Sequence, residues 1–197
     1  MVSDEFKDFD IILASASPRR RELLREAGIS FTPAEVDCDE AWPANMKGRE
    51  IAEYLAALKS DHWINKLNDN QILITADTVV WCHDMFLGKP SGKAEAVAFL
   101  KLLSGCEHEV ITGLCLRDNR RKHVFSVTTR VKFKNLSDEE IDFYVEKFRP
   151  FDKAGAYGIQ EWIGLRGITR IEGSYYNVVG MPVSELYTAL IDFINSK

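Results

Sequence analysis

Short apolar runs alternate with stretches of helical period along this chain, each set off by polar or glycine punctuation. Asp10-Ile11-Ile12-Leu13-Ala14 predicts a short buried strand, and Ile72-Leu73-Ile74-Thr75 predicts another that continues through residue 81. Between them the pattern predicts a helix opening at Pro18, running through residues 22–27 and stopping at Gly28. A return strand over 29–32 follows, then a break at Trp42-Pro43. A second helix runs from 48 to about 67, with Ile51, Leu55 and Leu58 on one face. His83-Asp84 turns the 72–81 strand back through Met85-Phe86-Leu87, Gly88-Lys89-Pro90 ends that hairpin, and residues 94–103 form a third helix closed by Ser104-Gly105.

Partial alternation over 108–116 and 123–133 predicts a long hairpin around residues 117–120. Ser137-Asp138-Glu139-Glu140 is a capping box for a helix toward Phe148. Residues 155–160 read as a glycine-punctuated loop, and 168–171 and 175–179 as short strands around Gly173-Ser174. Met181-Pro182 starts a last helix carrying Leu186, Leu190 and Phe193. Helices interleaved with both short strands and hairpins imply an α/β protein with a mixed sheet. There is no repeat and no internal linker, so a single domain over 1–197 is expected.

Composition changes this picture little. With 46% hydrophobic and 28% charged residues the chain is a folding sequence, not a disordered one. A net charge of −5 argues against a nucleic-acid partner, whereas a small phosphorylated substrate needs only a local basic pocket. No apolar run approaches the ~20 residues of a membrane span, and residues 1–5 lack a signal-peptide pattern. Cys38, Cys82, Cys106 and Cys115 have no CxxC spacing, which reads as reduced thiols in a cytoplasmic protein with no membrane partner.

The candidate chemistry starts from an electrostatic conflict. Ser17 is a good N-cap and Pro18 suits the first helical position, yet Arg19, Arg20 and Arg21 follow where the helix dipole favours acidic residues. A bound anion removes the conflict, so residues 15–20 form a candidate phosphate site. Asp77 emerges from an apolar strand run and needs a partner; its ordinary alternative is a strand-end carboxylate capping a turn. Lys89 in its Gly-Lys-Pro setting and Lys59 on the second helix are either aimed or simply solvated. The Asp39-Glu40 pair offers oxygen ligands for Mg²⁺ or Mn²⁺, or is likewise solvated. His62, His83, His108 and His123 have no metal-ligand spacing, and Trp42, Trp63, Trp81 and Trp162 read as core or interface. A P-loop, a strand-linked GxGxxG and a GxSxG elbow are all missing from the sequence. Together the basic helix start, acidic pair, strand aspartate and placed lysines are the set that metal-assisted cleavage of a phosphoanhydride requires.

Ser15-Ala16-Ser17-Pro18-Arg19-Arg20, Asp39-Glu40, Leu55-Ala56-Ala57-Leu58-Lys59, Ala76-Asp77-Thr78-Val79-Val80 and Leu87-Gly88-Lys89-Pro90 occur in an order that resembles the Maf family. So do Leu103-Ser104-Gly105, His108-Glu109-Val110-Ile111-Thr112-Gly113, Asp152-Lys153-Ala154-Gly155-Ala156-Tyr157-Gly158-Ile159-Gln160 and Gly173-Ser174-Tyr175-Tyr176-Asn177-Val178-Val179-Gly180-Met181-Pro182. The resemblance implies an elongated α/β fold related to the inosine triphosphate pyrophosphatases, with two lobes around a cleft, a divalent metal (Mg²⁺ or Mn²⁺) and often a homodimer. It implies splitting of a nucleoside triphosphate into monophosphate and pyrophosphate. By the same resemblance Asp77 is the proton acceptor, Arg19, Thr78 and Gln160 match specificity positions, and Ser15, Arg20, Lys59, Lys89 and Lys153 hold phosphates. Glu40 and Asp77 hold the metal.

The Ala-Tyr-Gly-Ile-Gln stretch is similar to the branch acting on dTTP and UTP, and the branch acting on 7-methyl-GTP lacks it. The Gln160 amide both donates and accepts, which suits the O4/N3–H edge of uracil or thymine. Ser60, where an alanine is usual, and residues 162–166 depart from the family pattern. The rival readings are 7-methyl-GTP or another non-standard nucleotide as substrate, and a nucleotide-binding regulator of septum formation. Arg21 falls outside the motif and is expected on the solvated side.

Overall fold

A computed structural model describes residues 6–196; the segment 1–5, read above for a leader pattern, lies outside the described residues. The chain forms β1 (Asp10–Ala14), α1 (Pro18–Glu26), β2 (Thr32–Ala34) and α2 (Gly48–Asp61). It continues through β3 (Gln71–Cys82), β4 (Met85–Leu87), α3 (Lys93–Leu103), β5 (Glu107–Arg117), β6 (Lys122–Phe133) and α4 (Asp138–Phe148). A 3-10 turn (Ala154–Ala156) precedes α5 (Trp162–Gly167), β7 (Ile168–Glu172), α6 (Tyr175–Val179) and α7 (Val183–Asn195). The seven strands make one mixed sheet in the order β2-β1-β3-β5-β6-β7, with β4 on β3, as the interleaved pattern implies. β1 runs parallel to β2 and β3, and the remaining pairs are antiparallel.

The edge of β3 opposite β5 decides where the site lies. β1 accompanies β3 only as far as Leu13 opposite Ile74, and β4 pairs with β3 only from Val80, opposite Leu87, onward. Between them residues 75–79 have no strand neighbour on that side among the described residues. Side chains on one face of β3 belong to two different clusters. Ile72, Ile74 and Ala76 pack with Leu24 of α1 and Leu186 and Leu190 of α7. Val80 and Cys82 pack with Leu100 of α3, Tyr144 of α4 and Ile163 of α5. Thr78 sits between them. The opposite face carries α2, whose Ile51 and Leu55 meet Val79 and Ile111. Gly113 lets α2 press onto β5, because a Cβ there would lie 2.1 Å from the Ala52 carbonyl oxygen.

Local expectations fail where tertiary contacts redirect the chain. α2 ends at Asp61, short of residue 67. Beyond its end Asn65 takes a left-handed φ of 65°, which keeps the following turn from continuing as helix, and Trp63 and Leu67 fold onto Ile12, Ala14 and Leu73. The return strand is β2 at Thr32–Ala34 and not 29–32, because Ile29 is drawn into the core below α1. Residues 175–179 form a helix and not a strand: Ser174 accepts a hydrogen bond from the Asn177 N–H at 3.3 Å and caps the turn. The helix α5 went unforeseen, and Gly164 permits it by letting the Ile159 carbonyl approach closely.

His108 is buried, stacks on Phe133 with ring centroids 5.5 Å apart, and bonds the Tyr157 hydroxyl through Nε2 at 2.7 Å. Burial pulls its pKa from 6.5 down to about 3. The unfolded chain therefore takes up a proton that the folded chain refuses. Stability should fall as pH drops below about 6.5, by up to ~1.4 kcal/mol per pH unit from this residue. In melting curves taken across that range, His108→Gln should flatten the slope.

Candidate active site

The first turn of α1 answers its own electrostatic conflict with acceptors from the protein. Ser17 Oγ accepts from the Arg20 N–H at 3.5 Å, and Ser15 Oγ accepts from the Ser17 N–H at 3.2 Å. Arg20 reaches into the gap beside β3. Its Nη1 donates to the Ala76 carbonyl at 2.7 Å, Nη2 to Thr78 Oγ1 at 2.9 Å, and Nε to the Gly180 carbonyl at 2.9 Å. The guanidinium therefore grips the residues on both sides of Asp77. Burial lowers its pKa, with the Asp77 carboxylate partly offsetting that loss. Arg19 lies at the rim and donates to Asp152 Oδ2 at 2.7 Å. Arg21 corrects the expectation of a solvated side chain: Nε donates to the Ser15 carbonyl at 2.9 Å, and Glu35 lies 3.6 Å away.

On the other side of the gap α2 delivers Lys59. Its Nζ is 2.5 Å from Asp77 Oδ1 and 2.8 Å from Glu40 Oε1. The Lys59 and Asp77 side chains are 12% and 14% exposed and Glu40 is half exposed, so this charge cluster is closed at the bottom and open at one carboxylate. Burial opposes the charge on Lys59, but Asp77 and Glu40 outweigh it and hold its pKa above the ordinary lysine value. Burial likewise opposes the charge on Glu40, and the bond to Lys59, helped by Lys89 and Arg20, holds its pKa below the ordinary value.

The far wall is the segment 152–160. Lys153 Nζ lies 2.8 Å from Asp152 Oδ1 and 3.1 Å from Glu161 Oε1. Glu161 accepts the Tyr144 hydroxyl proton, and that hydroxyl oxygen accepts the Gly158 N–H at 3.0 Å. Burial opposes the charge on Asp152, yet Lys153 and Arg19 bring its pKa down to about 2. Gly155, at φ 68°, donates to the Gly88 carbonyl at 3.1 Å and lies over Val80, which ties this wall to the β4 hairpin beside Lys89.

The walls enclose a cleft of about 510 Å³. Of the candidate site residues read from the sequence, Ser15, Arg19, Arg20, Glu40, Lys59, Asp77, Thr78, Lys89, Lys153 and Gln160 line it, and Asp39 of the acidic pair does not. Sequence reasoning missed Asp152 and Glu161, the carboxylates that hold Arg19 and Lys153. Trp42, read as core or interface, does pack against the α2 cluster, and it also lines the cleft beside Phe86, with ring centroids 4.6 Å apart. The position of Trp42 two residues beyond the acidic pair was the available signal. Among the described residues no group of three or more His, Cys, Asp or Glu side chains could hold a metal. Asp77 and Glu40 are a carboxylate pair of the kind that holds Mg²⁺ together with substrate phosphates.

A family model described as "Maf-like protein" matches residues 10–193. The chain belongs to the Maf family. Among Maf relatives, a dTTP/UTP pyrophosphatase of Christiangramia forsetii is 47% identical, covering 100% of each chain. A dTTP/UTP pyrophosphatase of Porphyromonas gingivalis is 47% identical over 98% of this chain and 99% of that one. One from Bacteroides thetaiotaomicron is 46% identical over 92% and 95% respectively. The Ham1 protein of Staphylococcus aureus shares the fold, with a TM-score of 0.52 at 16% identity over 95% of this chain and 98% of that one. Among the described residues no helix of this Maf protein is long and apolar enough to cross a membrane.

Proposed function

We propose that this protein is a nucleoside triphosphate pyrophosphatase acting on dTTP and UTP. The observation that carries the reading is Asp77 at the open edge of β3, inside a cleft walled by Arg19, Lys89 and Lys153. Relatives of matching length carry that activity in their names. Water attacks the α-phosphorus, its proton passes to Asp77, and the bond from the α-phosphorus to the bridging oxygen breaks. The product pair is a nucleoside monophosphate and pyrophosphate. Lys59, Lys89 and Lys153 offset the charge of the phosphates, to which the Ser15 hydroxyl can donate, and that charge grows on the leaving pyrophosphate as the bond breaks. Mg²⁺ or Mn²⁺ held by Glu40 and Asp77 would add further charge neutralisation at the phosphate oxygens. Four free cysteines fit a reducing compartment, and we place the protein in the cytoplasm, as a homodimer by family resemblance.

Hydrogen-bond direction favours a base that presents a ring N–H, as uracil and thymine do and cytosine does not. Arg20 donates to Thr78 Oγ1, Thr78 lies 3.0 Å from Thr112 Oγ1, and Thr112 donates to the Asn177 carbonyl at 3.3 Å. A guanidinium only donates and a carbonyl only accepts, so the hydroxyl protons run toward Asn177. Thr78 keeps one lone pair for the cleft. The N3–H of uracil or thymine can meet it, and an ionised phosphate cannot. Gln160 on the same cleft can serve O4.

Wild-type protein incubated with dTTP, UTP, CTP and 7-methyl-GTP, with Mg²⁺ or Mn²⁺, should release pyrophosphate fastest from dTTP and UTP. Orthophosphate as the product would contradict attack at the α-phosphorus, and tight binding without product would favour a regulator. Arg20 and Arg19 should separate kinetically. Arg20 has its donors committed to the Ala76 carbonyl, Thr78 Oγ1 and the Gly180 carbonyl, and a lysine lacks the planar fork that spans all three, so Arg20→Lys should lower kcat about tenfold or more with a smaller change in KM. Arg19→Ala should chiefly raise KM, by about tenfold. A pure KM effect at Arg20 would return it to the phosphate-binding role.

A further inference from the structure

We propose that Lys59 is the resident counter-ion of the Glu40–Asp77 pair, and that a divalent metal enters this site only together with the nucleotide triphosphate. The inference rests on the metal-assisted reading above and concerns what Lys59 does before substrate arrives. The ammonium lies 2.5 Å from Asp77 Oδ1 and 2.8 Å from Glu40 Oε1, so it occupies lone pairs on both carboxylates that a metal would need. Among the described residues no further His, Cys, Asp or Glu completes a set of three here. A divalent ion bound by these carboxylates while the ammonium stayed in place would put like charges within a few ångströms in a half-closed site, a strongly unfavourable contact.

Lys59 also has somewhere to go. Its backbone is fixed, since Ser60 is buried and accepts from Arg117 Nε at 2.5 Å, and Thr75 Oγ1 donates to the Ala56 carbonyl at 2.7 Å. Its four-carbon stem, by contrast, can swing while α2 stays put. A triphosphate in the cleft supplies new anionic oxygens for the ammonium, and the carboxylate oxygens then come free. Lys59 thus serves the carboxylates in the empty protein and the phosphates in the complex. The productive ligand is the metal–nucleotide complex, not metal followed by nucleotide.

Binding of Mn²⁺ to nucleotide-free protein, followed by electron paramagnetic resonance of the free ion, tests this without turnover. The wild type should bind weakly. Lys59→Met keeps the length of the stem, removes the charge, and should bind Mn²⁺ at least about tenfold more tightly. Adding Glu40→Gln to that variant should reverse the gain. Lys89 lines the same cleft and acts on Glu40 only through space, with no hydrogen bond or ion pair to it, so Lys89→Met should give a clearly smaller gain than Lys59→Met, about threefold or less. In the wild type, a UTP analogue with nitrogen bridging the α- and β-phosphates should bring Mn²⁺ binding up to the level of Lys59→Met. Equal affinities for wild type and Lys59→Met, or an equal gain from Lys89→Met, would overturn the proposal. Lys59→Gln provides the same reading if the methionine variant does not fold. The wild-type nucleotide panel separates the two ideas, because absence of pyrophosphate there sinks the proposed activity whatever the Mn²⁺ titration gives.

Discussion

Asp77→Asn should abolish pyrophosphate release while leaving a folded protein. The amide has the same shape as the carboxylate but cannot take a proton from water, and loss of a positioned general base costs about 10²–10⁴ in rate. The change also removes the negative charge that Lys59 faces at Asp77, and Lys59 keeps Glu40 at 2.8 Å. No cavity opens and no buried charge is left alone, so the melting temperature should move by only a few degrees. A coupled pyrophosphate assay beside a melting curve reads both quantities. Turnover near the wild-type level would remove Asp77 from the proton-accepting role.

The largest structural effect should come from Gly113→Ala, a residue with no polar chemistry at all. Gly113 pairs with Asp77 across β3 and β5, and α2 rests on it. The added Cβ would lie 2.1 Å from the Ala52 oxygen, 2.2 Å from the Ala52 carbon and 2.7 Å from the Glu53 nitrogen. These are backbone atoms of a helix and cannot turn aside as a side chain would. Either α2 lifts from the sheet or the fold loses about 3 kcal/mol, the upper range for overpacking. That corresponds to a fall of roughly 10 °C in melting temperature for a chain of this size. Because α2 carries Lys59, the surviving folded fraction should also be less active. A melting temperature within a degree or two of wild type would show that α2 tolerates the displacement.

Much of this arrangement could be read before any coordinates. β1 and β3 follow from apolar runs, the β5–β6 hairpin from alternation, and α4 from a capping box whose bonds are both present. The misreadings share one cause, which is that local pattern yields to distant packing. Tyr175-Tyr176-Asn177-Val178-Val179 has strand-like composition, yet Asn177 is buried and donates to the Val110 carbonyl and to Thr129 Oγ1, each at 3.0 Å. The cleft shows the same division. Its cations were legible through their motifs, and so were Asp77 and Glu40, but the carboxylate that occupies Arg19 was not, because Arg19 and Asp152 are 133 positions apart. Arg21 went wrong for a similar reason: its acceptor is the backbone of Ser15, and backbone acceptors have no sequence signature.

The break in the sheet between β1 and β4 has a mechanical side. Over residues 75–79 the strand is held along one edge only, so its local twist is not locked by a neighbour as it is elsewhere. The two apolar clusters on that face of β3 meet through Val179, which packs against both, and Arg19 reaches across the cleft to Asp152. A long anion laid across the break would act as a splint, adding stiffness where the sheet has a missing rung. The stretch of strand paired along one edge only is the one that carries Asp77.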